Sequence, residues 1–111
     1  MQSGKIIKGS LALVVLQLLQ NNGSMYGYEI TRAVREASKG ITEITEAALY
    51  PTLHKLQNAQ LLTVTYKTID GRERKYYRVT AAGKKEAATQ LLAMQEAIAA
   101  LQKILKYKLN R

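Results

Sequence analysis

The stretch TEAALYPTLHKLQNAQLL, Thr45 to Leu62, decides the fold. Leu49, Leu53 and Leu56 recur at i, i+4 and i+7, the spacing of a helical stripe that packs on a core. Thr45 predicts the N-cap, because its hydroxyl can accept an orphan N–H of the first turn, and Glu46 suits the positive end of the helix dipole. Off the stripe stand Glu46, Ala47, Tyr50, Thr52, Lys55 and Gln57: small, hydrogen-bonding or cationic. One anchored face and one polar, mildly basic face suit a reader of the DNA major groove. Taken alone, they fit an ordinary amphipathic surface helix at least as well. Pro51 falls past the positions where a missing N–H is harmless, so it should leave the Ala47 carbonyl without its helical donor and bend the helix.

After this helix, from Leu61 to Ile69, Leu62, Val64 and Tyr66 alternate with Thr63, Thr65 and Lys67. Asp70-Gly71 predicts a two-residue turn, and Arg72 to Thr80 returns with Tyr77 and Val79 alternating against Tyr76 and Arg78. Two strands cannot stand alone in water. Their apolar face must lie on the helices, leaving a tip with Arg72, Arg74 and Lys75 to project. Thr80 then caps a last helix reaching about Lys108, on the order of 40 Å long. In it Ala87, Leu91, Met94, Ile98, Leu101 and Leu105 are spaced 4, 3, 4, 3, 4, a heptad seam. Its distal turns have nothing left in the chain to pack on, which calls for a second copy.

Before the opening stretch, Gly9 to Asn21 predicts a first helix that is apolar nearly all round and must be covered on several sides, a further sign of a second copy. Asn21-Asn22-Gly23 can supply its C-cap. Ser24 is the expected N-cap of a second helix, Met25 to Ser38, with Ile30, Ala33, Val34 and Ala37 inward and Arg32, Arg35, Glu36 and Lys39 toward water. Gly27 in its first turn is costly unless another backbone or a ligand comes close. Met1 to Lys8 is expected to be a short arm.

At 111 residues the chain is one small domain, and its lack of cysteine removes any disulfide framework or thiolate metal site. Seventeen Lys and Arg against eight Asp and Glu give a net charge of +9, which points to a polyanionic partner, nucleic acid before an anionic membrane. The apolar run Leu11 to Leu19 is too short to span a bilayer, and no cleavage pattern follows it, so a cytoplasmic protein is expected. The one histidine, His54, lacks partners for a metal site. No phosphate-cradling glycine loop and no nucleophile beside a base suggest an enzyme. No cofactor is expected.

Three helices, a basic-tipped hairpin and a long last helix define a mainly α fold with a small β-hairpin: a winged helix-turn-helix with a C-terminal dimerisation helix. Residues 1–80 would form the DNA-binding part and 81–111 the dimerisation helix, as one structural unit. Thr45, Glu46, Ala47, Thr52 and Lys55 would face a groove, and the Tyr50 hydroxyl, Arg72, Arg74 and Lys75 would contact phosphates. The second helix would offer free N–H groups to another phosphate. Leu11, Val15 and Leu18 of the first helix and Leu91, Met94, Ile98, Leu101 and Leu105 of the last would make the dimer interface.

Three stretches carry a family resemblance: MYGYEI (Met25 to Ile30), ALYPTLHKL (Ala48 to Leu56) and RKYYRVTAAGKK (Arg74 to Lys85). In order and spacing they resemble the signature stretches of PadR transcriptional regulators, and KGSLALVVLQLL, Lys8 to Leu19, is similar to that family's first helix. The resemblance runs from Lys8 to about Ala88, and the single last helix resembles the family's short subgroup. It implies a homodimeric winged-helix protein, usually a repressor, that binds a double-stranded operator and is released by a small effector. Tyr26, Gly27 and Tyr28 would then form the N-terminal turn of the second helix, with Tyr28 among the DNA contacts. Tyr50 and Pro51 match the family's Tyr-Pro pair on the recognition helix, while Tyr76 and Tyr77 fall on the return strand of the wing. A hydrophobic effector would lie among Val14, Val15, Met94 and Ile98. The chain departs from the pattern where Gln57 to Gln60 replace the usual acidic residue and glycine. The alternative is a non-enzymatic basic module that binds an acidic protein or a membrane surface. It needs the cations on an amphipathic helix, whereas many lie on the hairpin tip.

Overall fold

A computed structural model describes residues 9–110; the arm expected over residues 1–8 and the terminal Arg111 lie outside the described residues. The first helix, α1 (Leu11–Asn22), ends at the expected cap, where Gly23 takes φ 76° and its N–H donates to the Leu19 carbonyl. Leu11, Leu13, Val15, Leu16 and Leu19 enter the interior of the chain itself. The all-round apolar pattern predicts cover from a second copy. The chain supplies most of that cover, because α1 lies centrally against the other three helices and the return strand of the wing.

Met25 and Tyr26 do not begin the second helix under a Ser24 cap. They form a short strand, β1 (Met25–Tyr26), paired antiparallel with Tyr77 and Tyr76. The helix α2 (Gly27–Ala37) follows with Tyr26 as N-cap, and the Glu29 carboxylate accepts the Tyr26 N–H at 3.2 Å. Ladder pairing and this Glu29 contact displace Ser24. Ile30 and Val34 are buried as the periodicity predicts, but Ala37, the last residue of the helix, is exposed.

The opening stretch forms α3 (Glu46–Asn58), capped by Thr45, whose side chain accepts the Ala48 N–H at 3.1 Å. Leu49, Leu53 and Leu56 are buried. The helix continues through Pro51, which is exposed, so the carbonyl it deprives of a donor belongs to the watered side. Gln60, at φ 63°, closes α3: its N–H donates to the Gln57 carbonyl and the Leu61 N–H to the Leu56 carbonyl, each at 2.9 Å. That pair of return bonds is a Schellman ending, formed without the glycine such a position favours.

The wing is β2 (Leu62–Ile69) and β3 (Arg72–Val79), joined by Asp70 and Gly71 at φ 51° and 76°, both positive as a type I′ turn requires. Leu62 pairs with Val79 and Val64 with Tyr77. The strand order is β1–β3–β2, so the expected two-stranded hairpin has a third strand at its base. Leu62, Tyr77 and Val79 are buried, whereas Tyr66 and the tip beyond it stand in solvent.

The last helix, α4 (Ala81–Lys106), stops slightly short of Lys108. Thr80 links it to α3: its side chain accepts the Gly83 N–H at 3.0 Å and donates to the Gln60 carbonyl at 2.9 Å, while its N–H donates to the Leu61 carbonyl at 3.0 Å. Gly83 is buried where a Cβ would strike the Leu61 carbonyl oxygen and lie 2.6 Å from Val79 Cγ2. Past Ala87 the helix stays beside α1 as far as Met94, where Leu91 and Met94 are half-buried, and then leaves its own domain. Ile98, Leu101 and Leu105 are 49%, 54% and 75% exposed. The radius of gyration is 16.5 Å, where a compact chain of this length would have about 13 Å.

Candidate nucleic-acid interface

Tyrosines and cations tie the base of the wing to the start of α2. The Tyr26 ring lies nearly parallel to Tyr28 at 6.3 Å and edge-on to Tyr76 at 5.3 Å. The Arg74 guanidinium sits 4.5 Å over Tyr26, Lys67 Nζ 4.6 Å over Tyr76 and Lys75 Nζ 5.3 Å over Tyr77. The three cations that the sequence groups at one tip are therefore divided. Arg72 is exposed beside the turn, whereas Arg74 and Lys75 lie half-buried along tyrosine faces, and Arg74 Nε is buried with no hydrogen-bond partner. Tyr28 is exposed at the edge of this cluster.

Gly27 is buried because α3 comes close: a Cβ there would lie 3.2 Å from Glu46 Oε1 and 3.2 Å from Tyr50 Oη. The glycine predicts an approaching backbone or ligand; the groups that approach are instead two α3 side chains. Burial, then the neighbouring Glu46 carboxylate, pushes the Tyr50 phenol above its ordinary range. Glu46 lies against Gly27, and Glu29 holds the Tyr26 N–H. Two carboxylates thus stand at the α2 N-terminus that the sequence offers to a phosphate, and both are favourable to its dipole.

The exposed side of α3 carries Glu46, Ala47, Tyr50, Pro51, His54, Lys55 and Asn58, with Thr45 exposed at the cap. Thr52, expected among them, is half-buried. It borders a cleft of about 390 Å³ with Leu11 and Ala12 of α1, Lys55, and Glu86 and Gln90 of α4. Pro51, His54 and Asn58 stand there too, outside the expected groove-facing set. They follow Ala47 at spacings of 4, 3 and 4, a row that the same helical period would have found opposite the leucine stripe.

The residues expected at a dimer interface and effector site are not gathered within one chain. Val15 is 0% and Leu11 5% exposed, in the core rather than on the surface, because α1 is central. Val14 and Leu18 are half-buried. A cleft of about 280 Å³ between α1 and α4 is lined by Gly9, Ser10, Leu13, Gln90, Ala93, Met94 and Ala97, and so includes Met94 but not Val14, Val15 or Ile98. Among the described residues no His, Asp or Glu side chains gather as a metal-binding group, and no helix is long and apolar enough to cross a membrane.

Helices α2 and α3 with the sheet-based wing make a winged helix-turn-helix. The model of the transcriptional regulator PadR-like family matches residues 15–89, and the chain belongs to that family. It is 32% identical over 87 residues to the transcriptional regulator Rv3488 of Mycobacterium tuberculosis, covering 77% of this chain and 78% of that one. A transcriptional regulator structure from Clostridium thermocellum superposes with a TM-score of 0.84 at 26% identity, covering 92% of this chain and 99% of that one. The Bacillus subtilis PadR structure, solved in complex with operator DNA, superposes with a TM-score of 0.66 at 29% identity, covering 73% of this chain and 46% of that one.

Proposed function

We propose that this chain is a sequence-specific DNA-binding regulator: a homodimeric repressor, acting in the cytoplasm, that a small hydrophobic effector releases from its operator. The observation that carries it is the exposed, mostly uncharged face of α3 beside a basic wing, in a chain of net charge +9. The operator complex of the B. subtilis relative supports the same role.

In this reading Thr45, Glu46, Ala47 and Lys55 lie at the groove, and Tyr28, Tyr50, Arg72, Arg74 and Lys75 line the phosphates. Thr52 has no part in it, being turned to the body of the chain. Residues 1–80 hold the duplex, and residues 81–111 pair two copies through Leu91, Met94, Ile98, Leu101 and Leu105, with Leu18 alongside. The effector occupies the α1–α4 cleft at Leu13 and Met94, completed by the second copy.

Titration of a labelled duplex from the DNA flanking the gene tests the reading. Binding should be tight at low salt and weaken linearly in log–log form as salt rises, with a slope of roughly 0.9 per phosphate contact. Absence of binding at low salt contradicts it.

A further inference from the structure

We propose that one row of α3, Ala47, Pro51 and His54, reads the bases: Ala47 and Pro51 meet thymine methyl groups, and His54 donates to a guanine edge. This assignment rests on the operator reading and says which face of the helix carries it. The three residues are spaced 4 and 3 along α3, all are exposed, and they lie opposite the buried Leu49, Leu53 and Leu56. What the core anchors from behind, it must present in front.

Glu46, Tyr50, Thr52 and Lys55 stand to the sides of this row. Glu46 Oε1 and Tyr50 Oη approach α2, each 3.2 Å from where a Cβ on Gly27 would stand, and Thr52 is half-buried beside α1 and α4. Lys55 is exposed at the margin of that cleft, beside the row rather than in it.

The chemistry of the row then selects its targets. Ala47 and Pro51 have no side-chain donor or acceptor, and the apolar group a base pair shows in the major groove is the thymine C5 methyl. His54 has an N–H to give. Guanine presents two adjacent acceptors, N7 and O6, whereas adenine sets a donor beside its N7. Guanine is the better complement.

Enrichment of a random duplex pool by the full chain, wild type and His54→Ala, tests this. The wild type should enrich a two-fold symmetric site. His54→Ala should bind the same site with its preference for one G·C pair per half-site reduced roughly twofold to tenfold, the other positions unchanged. His54 is exposed, so the fold tolerates the change. In the enriched site, uracil in place of thymine removes only the methyl, and each contacted methyl lost should weaken wild-type binding about fourfold. An undiminished preference at every position in His54→Ala, or uracil throughout at no cost, overturns the proposal. A wild type that enriches no sequence overturns the operator reading itself and this assignment with it.

Discussion

Gln60 holds a left-handed conformation that glycine adopts more readily, at φ 63°, in order to end α3. A side chain there costs about 1–2 kcal/mol, and glycine loses part of that difference through the entropy of the unfolded chain. Gln60→Gly should therefore stabilise by roughly 0.5–1 kcal/mol, seen as a higher thermal midpoint; an unchanged midpoint would mean the turn is unstrained. Gly83 is the opposite case. Its missing Cβ leaves room for the Leu61 backbone, so Gly83→Ala should cost about 1–3 kcal/mol in denaturant unfolding. A neutral result would show that α4 can shift freely. The need for a close approach at Gly27 was legible in the sequence, but the groups that approach, Glu46 and Tyr50, were not. A glycine reports that space is required, and only tertiary packing decides what fills it.

The wing shows how far periodicity reaches. Alternation and the Asp70-Gly71 turn reveal β2, β3 and their tip. The two residues of β1 are too few to show a period, and their partners Tyr76 and Tyr77 are remote in sequence. The division among the cations was hidden for the same reason, since it depends on Tyr26 lying beneath Arg74. It leads to different outcomes for neighbouring arginines. Arg72→Ala should reduce the salt slope of DNA binding by roughly 0.9 and leave unfolding unchanged. Arg74→Ala should also lower stability, by about 0.5–1 kcal/mol. Equal effects of the two on unfolding would contradict the docked position of Arg74. In α3 the buried stripe and cap were legible at once, and the outward row was available from the same period. The inward turn of Thr52 was not, because it depends on α1 and α4.

At the scale of the molecule, α4 carries an apolar face that its own domain cannot cover, while α1 proves to be covered within the chain. The pattern in α4 was legible because the helix outruns the domain. In α1 it was ambiguous, because a helix apolar all round can lie at the centre of one small chain as well as between two. Leu101 and Leu105 are more than half exposed. Leu101→Glu with Leu105→Glu should therefore keep the fold by circular dichroism, yet sediment as a monomer that binds DNA far more weakly. A stable dimer carrying both changes would show that this face is not the seam.

The proposed pairing of subunits implies paired half-sites, and footprinting at low salt on the DNA flanking the gene measures that most directly. The expected result is one protected stretch with two-fold symmetry, its halves about one helical turn, roughly 34–36 Å, apart. No protection, or protection without preference for any sequence, would contradict a dimeric operator-binding regulator.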